Sequence, residues 1–275
     1  MVAEPSADAG APGDRSRTAA FFDLDNTIIR GASAFHLAVR LKARGFFTTA
    51  DLLRFAVHQA RYLAFGENLH QISTLRDRAL SIVAGKSVAE IAAIGEEVWD
   101  EVLSLRIFPG THALLREHLA AGHQVWIVTA SPVEIGELIS RRLGATGALG
   151  TVAEHKDGFY TGRLVGAMLH GQAKARAIVA LAEREGVDLA RSWAYSDSLN
   201  DVPILSEVGH AVAINPDRRL RRYSRTVGWP VQESRGRRRA AARRSAQTAS
   251  WAGTAWVASL VVRAARRTIR RRLAG

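Results

Sequence analysis

The chain has 275 residues, 47% of them hydrophobic, which is enough to bury the core of one large α/β domain or of a core domain with a smaller insert. It contains no cysteine, so disulfides and cysteine-based zinc sites are excluded. The formal net charge of +12 is unevenly placed: residues 218–275 hold 17 arginines and one acidic residue, a charge of +16, which leaves −4 on residues 1–217. A mildly acidic body argues against nucleic-acid binding across the main fold.

The N-terminal residues 1–17 are rich in Ala, Pro, Gly, Ser and Asp and have neither an apolar core segment nor an early positive charge. This composition predicts a disordered lead-in and not a signal peptide. The chain contains no run of about 18 or more apolar residues, so a standard membrane span is not expected. We therefore expect a cytoplasmic protein.

The first predicted strand covers residues 18–23 and ends in the acidic and turn residues that begin at Asp23. A helical pattern then occupies residues 33–106, with predicted helices at 34–43, 51–65, 69–83 and 88–105. This block of roughly 70 residues has the size of a small domain, and it predicts a helical insert that separates the first strand from the rest of the fold.

Strands and helices alternate from residue 107 to residue 228. The predicted strands are 124–129, 193–196 and 210–214, and the predicted helices are 111–121, 132–143, 174–185 and 202–207. Asp157-Gly158 is a hairpin signal in the glycine-rich stretch between them. Such alternation implies an α/β fold with a parallel sheet that is covered on both faces.

Polar side chains follow three of these apolar runs directly, and ligands of open parallel sheets bind outside the carboxyl ends of the strands. We therefore expect these groups to converge, although they are far apart in sequence. One carboxylate of an i, i+2 pair can act as nucleophile and the other as general acid and base. Clustered carboxylates form the hard oxygen set that Mg²⁺ prefers, and a hydroxyl with a lysine suits a phosphate. The groups at the strand ends are Asp23 with Asp25, Thr129 with Ser131, and Asp197 with Asn200 and Asp201, and Lys174 lies in a predicted helix.

Four motifs in this order resemble the signatures of the haloacid dehalogenase (HAD) superfamily, subfamily IB, which is phosphoserine phosphatase-like. They are Asp23-Leu-Asp-Asn-Thr27, Thr129, Lys174 and Asp197-Ser-Leu-Asn-Asp201. The resemblance covers roughly residues 18–228. It implies a Rossmann-like three-layer α/β/α core at 18–32 and 107–228, a C1-type helical cap at 33–106 and a basic tail at 229–275.

The resemblance also implies a magnesium-dependent phosphatase that hydrolyses a small phosphomonoester through an aspartyl-phosphate. Asp23 would be the nucleophile, and Asp25 the acid and base. The metal would be held by Asp23, the backbone carbonyl of Asp25 and Asp197, with support from Asp201. The phosphoryl group would be bound by Thr129, Ala130, Lys174 and Asn200. Asp25 also favours a phosphatase or phosphotransferase over the dehalogenase branch, which lacks an aspartate there.

One departure from the resemblance bears on the substrate. Phosphoserine phosphatases usually place a glutamate nine positions after the nucleophile, where it binds the substrate's amino group. The residue at that position is Ala32. Phosphoserine is therefore not the expected substrate, unless a nearby cap residue replaces the glutamate.

Ordinary structural roles compete with each functional one. Asp23 and Asp25 could form a strand-terminal turn, Thr129 could be a plain strand-end residue, Lys174 could be a solvated helix residue, and Asn200 could cap the short helix after it. The presence of all four motifs in order favours the catalytic interpretation.

The basic tail gives no single prediction. Arginine clusters flank residues 251–262, which are mostly apolar, include two tryptophans and are too short for an ordinary span. Residues 235–275 fit an interfacial helix at the inner face of an anionic membrane, and a solvated basic tail fits equally well on composition. Nucleic-acid binding ranks third.

Three functions are thus left open: a phosphomonoesterase, which leads, a phosphotransferase with the same motifs, and an adaptor that uses the tail. The sequence names neither the substrate nor the oligomeric state.

Overall fold

The computed structural model of the chain describes residues 17–46, 80 and 83–234. These residues belong to one compact unit that ends at Ser234. The predicted N-terminal lead, apart from Arg17, lies outside the described residues. So do the predicted cap helices at 51–65 and 69–83, except for residues 80 and 83, and the basic tail at 235–275.

A six-stranded parallel sheet forms the centre of the described fold, with strand order β3-β2-β1-β6-β7-β8. Its strands alternate along the chain with helices, so each parallel connection crosses over a face of the sheet. The predicted α/β fold with a parallel sheet is confirmed. The strands are β1 (Ala19–Asp23), β2 (Gln124–Pro132), β3 (Gly147–Thr151), β6 (Trp193–Ser196), β7 (His210–Ile214) and β8 (Val231–Gln232).

Helices cover both faces of this sheet. Successive strand residues point to opposite faces, and Phe21 and Phe22 of β1 are each fully buried in a different apolar cluster. The cluster around Phe22 includes residues of α1 (Ser33–Ala43), α2 (Val88–Val98), α3 (Pro109–Ala120) and α4 (Val133–Leu143). The cluster around Phe21 includes residues of α5 (Gln172–Glu185), α6 (Val202–Ser206) and α7 (Arg218–Val227). The sheet is therefore the middle of three layers.

A separate antiparallel hairpin is formed by β4 (Ala153–Lys156) and β5 (Phe159–Leu164). Its turn residues, Asp157 and Gly158, both have positive φ, 52° and 82°. Positive φ at both central positions defines the turn type that Asp-Gly favours between twisted strands. The predicted hairpin is confirmed.

The described ends of the helical insert pack together and onto the core. Arg40 of α1 forms an ion pair with Glu97 of α2 at 3.2 Å and a second with Glu101 in the π-helical turn Trp99–Leu103. Leu37 of α1 and Ile91 of α2 belong to the same apolar cluster as α4. These contacts join the insert to the core next to the carboxyl end of β2.

The structure differs from the sequence prediction at several boundaries. The sheet extends past residue 228, where the predicted core domain ends, because Val231 and Gln232 pair with β7. α3 begins at Pro109 and not at Thr111, since proline suits the first turn of a helix. β2 runs to Pro132 and not to Thr129, with an irregular register against β3 between Val128 and Pro132.

Within the described ranges, no helix is both long enough and apolar enough to cross a membrane.

Candidate active site

The carboxyl ends of three neighbouring strands meet at one edge of the sheet. β1 lies between β2 and β6, with Asp23 opposite Val128 and Phe22 opposite Tyr195. Thr129 and Ser196 follow those partners directly in the chain. The predicted convergence of the strand ends is therefore present.

A tight loop follows β1 and positions its two aspartates. Asn26 adopts a left-handed conformation with φ 61°, which asparagine tolerates better than most residues. Its N–H donates to the Ile29 carbonyl at 2.6 Å, and its side-chain oxygen accepts from the Gly31 N–H at 3.1 Å. The Thr27 hydroxyl then donates to Asp23 Oδ2 at 3.2 Å. These bonds close the loop that follows β1 and join it to the carboxylate of Asp23.

Lys174 is a positively charged side chain at this edge of the sheet. It lies in the first turn of α5 with only 3% of its side chain exposed, and its ammonium donates to Asp23 Oδ1 at 2.6 Å and to Asp201 Oδ2 at 3.1 Å. Burial by itself would lower the pKa of Lys174, but Asp23 and Asp201 outweigh it and raise this pKa above its ordinary value. Lys174 is therefore a charged, fixed partner of Asp23 and not a solvated helix residue.

Asp201 is fixed from a second side by Ser196, the last residue of β6. The Ser196 hydroxyl donates to Asp201 Oδ2 at 2.6 Å and accepts from the Ser198 N–H at 3.2 Å. Sequence reasoning did not select Ser196. Its position at the end of an apolar strand, directly before Asp197, is the sequence pattern that could have identified it.

Asp25 connects the core to the first cap helix. Its Oδ1 accepts from the Ser33 backbone N–H at 2.8 Å, at the N-terminus of α1. Its Oδ2 lies 3.4 Å from the hydroxyl of Ser131, which is itself 2.9 Å from the Ser33 hydroxyl. Burial raises the pKa of Asp25, although the hydrogen bonds from Ser33 act to lower it. Ser33 is a site residue that sequence reasoning missed, and Ser131 was noted only as a strand-end hydroxyl.

Thr129 and Ala130 lie at the same edge but do not bond to Asp23 directly. Thr129 is 1% exposed, and its hydroxyl oxygen accepts from the Ser131 N–H at 3.0 Å. The Ala130 carbonyl accepts from the Thr151 hydroxyl at 2.7 Å. Thr129 thus reaches the aspartates through Ser131, and its contact with a phosphoryl group stays a prediction.

The backbone places Asp197 and Asn200 beside Asp201. The Asp197 carbonyl accepts from the Asp217 N–H at 2.8 Å, which ties the end of β6 to the start of α7. The Asn200 N–H donates to the Ser198 hydroxyl at 3.2 Å in the short 3₁₀ turn Leu199–Asp201. The predicted roles of these two side chains stay predictions.

The charges at this edge fit a divalent cation. Among the described residues, no group of three or more histidine or acidic side chains is arranged to hold a metal ion, and the Lys174 ammonium lies between Asp23 and Asp201. Yet Asp23, Asp25 and Asp201 are largely enclosed with this single lysine. Burial raises the pKa of Asp23 even against the opposing effect of Lys174, and the carboxylates of Asp201 and Asp25 raise it further. Hard carboxylate oxygens with an unbalanced charge are the chemistry that Mg²⁺ prefers.

Known proteins match this chain in sequence and in fold. The family model described as haloacid dehalogenase-like hydrolase matches residues 20–206. The chain belongs to this family. A Mycobacterium tuberculosis protein named phosphoserine phosphatase SerB1 is 52% identical over 241 residues, which cover 87% of this chain and 78% of that protein.

Two solved structures share the fold. One is a protein of unknown function from Bordetella pertussis Tohama I, with a TM-score of 0.71 and 30% identity, covering 80% of this chain and 99% of that one. The other is a phospho-aspartyl intermediate analogue of phosphoserine phosphatase, with a TM-score of 0.57 and 18% identity, covering 80% and 94%. The predicted HAD family, its fold and its enzyme class are confirmed: the chain is a HAD phosphatase.

Proposed function

We propose that this HAD phosphatase hydrolyses a small phosphomonoester through a covalent aspartyl-phosphate on Asp23, with Mg²⁺ as cofactor. The observation that carries the proposal is the arrangement around Asp23. Lys174 fixes its carboxylate at 2.6 Å, while Asp25, two residues on, is oriented separately by Ser33. In this proposal Asp23 is the nucleophile, and Asp25, with its separate set of partners, exchanges the proton.

In the first step, a carboxylate oxygen of Asp23 attacks phosphorus, and the bond from phosphorus to the ester oxygen breaks. Asp25 donates a proton to that leaving oxygen, so the product leaves as an alcohol. The ammonium of Lys174 offsets the negative charge that gathers on the transferred group. Thr129, Ala130 and Asn200 are proposed to orient the phosphoryl oxygens.

In the second step, the deprotonated Asp25 takes a proton from water as that water attacks phosphorus. The bond between phosphorus and Asp23 breaks, inorganic phosphate leaves, and both aspartates return to their starting state. Asp23, the Asp25 carbonyl and Asp197 would hold Mg²⁺, supported by Asp201, and the ion would supply charge neutralisation for the phosphate.

The test measures inorganic phosphate released from generic esters, with magnesium and with chelator. Asp23→Asn and Asp25→Asn should each abolish release. Asp157→Asn, at the exposed hairpin turn, is the matched control and should retain it. Brief incubation of the wild type should leave hydroxylamine-labile phosphate on the protein. Full activity of Asp23→Asn would reject the proposal.

The same residues would serve transfer to an alcohol instead of water, and analysis of products with acceptor alcohols separates the two reactions. A screen of phosphorylated metabolites at fixed magnesium, with phosphoserine included, would identify the substrate.

The predicted membrane role of residues 235–275 is a separate proposal. Vesicle binding that is unchanged after their removal would reject it.

A further inference from the structure

The helix α7 carries an exposed face of arginines on the folded body of the protein. Leu220 and Ser224 are fully buried against the sheet. Residues spaced by three or four positions share one side of a helix, so the arginines at 218, 221, 222 and 225 share the side that faces away from these buried residues. This arginine face consists of Arg218, Arg221, Arg222 and Arg225, which with Thr226 line an open depression of about 390 Å³.

The charge of this face is largely unbalanced. Arg221 pairs with Glu233, whereas Arg218, Arg222 and Arg225 have no carboxylate within ion-pair distance in the part of the chain that the structure describes. Like charges three or four positions apart on a helix repel each other and cost stability. The rest of the chain before this helix, residues 1–217, has a net charge of −4.

Apolar and aromatic side chains lie at the C-terminal end of the same helix. Val227 and Val231 are 43% and 37% exposed. Tyr223 and Trp229 pack edge to face with ring centroids 5.4 Å apart, and both are half-buried. Exposed valines and a Tyr–Trp pair at the end of an arginine-rich helix are the composition of a surface that enters lipid headgroups, whereas a phosphodiester backbone would gain nothing from the valines.

We propose that the arginine face of α7 docks the enzyme on an anionic phospholipid bilayer. The Asp217 N–H, directly before α7, bonds to the Asp197 carbonyl at the catalytic edge. The N-terminal end of α7 therefore lies next to the carboxyl end of β6. The inference goes beyond the proposed hydrolysis and does not depend on it.

The first experiment uses the full chain and vesicles of equal parts phosphatidylglycerol and phosphatidylcholine, with phosphatidylcholine alone for comparison. The face variant is R218Q/R221Q/R222Q/R225Q. The matched control is R116Q/K156Q/R163Q/R184Q, which removes the same charge from exposed positions elsewhere. At about 0.1 M salt, the face variant should lose at least about tenfold in partition to anionic vesicles, and the control less than about twofold.

Three results would overturn the proposal. The first is an unchanged partition of the face variant to anionic vesicles, and the second is an equal loss of partition in both variants. The third comes from a parallel measurement of duplex-DNA binding: the face variant loses DNA binding but keeps vesicle binding. Because the face variant removes repulsion within a helix, its melting temperature should be no lower than that of the wild type, and its activity on a soluble ester should be unchanged.

A second measurement leaves all four arginines of the face in place. Since the sequence has no cysteine, a single engineered thiol can carry an environment-sensitive fluorophore. At Thr226→Cys, on the arginine face, emission should shift to the blue with anionic vesicles only. At Ala113→Cys, on α3 across the sheet, it should not change. No shift at position 226, or equal shifts at both positions, would contradict the proposal.

Discussion

The carboxylate of Asp25 accepts a hydrogen bond of 2.8 Å from the backbone N–H of Ser33, the first residue of α1. A helix N-terminus presents unsatisfied N–H groups and a partial positive charge, so it is a suitable place to fix a carboxylate. The proposed acid and base of the core is thereby oriented by the helix that opens the cap. A shift of α1 would therefore change the position of Asp25.

Comparison of Ser33→Pro with Ser33→Ala separates the effect of the backbone hydrogen bond to Asp25 from the effect of the Ser33 hydroxyl. Proline suits the first position of a helix, and Ala32 before it already has the extended conformation that proline requires, with ψ 117°. Ser33→Pro loses the N–H, so kcat/KM should fall by about tenfold or more, as expected for a hydrogen bond to a charged group. Ser33→Ala keeps the N–H and should lose only a few-fold. Equal losses, at matched melting temperatures, would show that the N–H does not orient Asp25.

Lys174→Gln should impair both stability and catalysis, because it leaves Asp23 and Asp201 buried without their shared cation. Breaking a buried charge pair from one side costs about 3–5 kcal/mol of unfolding free energy. Denaturant unfolding measures this, with Lys156→Gln as an exposed control. Adding Asp201→Asn to Lys174→Gln should recover part of the loss, since it removes one uncompensated charge. If the double variant is no more stable than Lys174→Gln alone, the uncompensated charge is not the cause of the lost stability.

The residues that the sequence could predict are those that follow buried strands. Asp23 and Asp197 come directly after the apolar runs of β1 and β6, and the parallel pairing of those strands brings them to one edge. The serines could not be found in this way. Ser33 and Ser131 are 98 positions apart, and their contact depends on how α1 packs against the end of β2.

The arginine-rich helix α7 was also beyond prediction. Its buried residues Leu220 and Ser224 include only one apolar side chain, so there is no hydrophobic period to detect. β8 has two residues, too few for a strand pattern, and its place in the sheet depends on pairing with β7. Both elements depend on tertiary contacts that local sequence does not encode.

His118 should make the protein less stable as the pH falls below about 6.5. Burial, and then the charge of His123, lower the pKa of His118 from 6.5 to about 3. Its ring nitrogens bond to His123 Nδ1 at 2.8 Å and to the Tyr195 hydroxyl at 2.7 Å. Between pH 6.5 and 3 the unfolded chain binds a proton that the folded chain does not, so stability is present above this window and lost within it.

The loss from pH 7 to pH 5 attributable to His118 is about 2 kcal/mol if its unfolded pKa is ordinary. Urea unfolding at several pH values measures it. His118→Gln should flatten the pH dependence relative to the wild type, whereas His155→Gln, at an exposed histidine, should leave it unchanged. Parallel curves for the wild type and His118→Gln would refute the assignment.

Gly150→Ala should damage the site through the backbone. A Cβ at Gly150 would lie 2.5 Å from Val133 Cα and 3.1 Å from the Ser131 carbonyl oxygen, so the end of β2 would have to shift. We expect a lower melting temperature and a fall in kcat, because Ser131 contacts Asp25. Gly95→Ala is the matched control, since its Cβ would meet only the flexible tips of side chains such as Ile135 at 3.1 Å. If Gly150→Ala is as active as the control, the end of β2 can accommodate the added Cβ without displacing Ser131 from Asp25.

Ala32→Glu should increase activity on phosphoserine relative to a phosphomonoester without an amino group, such as glycerol phosphate. Ala32 is exposed, precedes α1 directly and occupies the position where the resemblance to phosphoserine phosphatases expects a glutamate. A new charge-assisted hydrogen bond to the substrate ammonium corresponds to about tenfold in relative kcat/KM. Ala32→Gln, equal in size but uncharged, should give much less. If the two variants treat both substrates alike, the amino group is not bound near residue 32, and specificity is set by other residues of the cap.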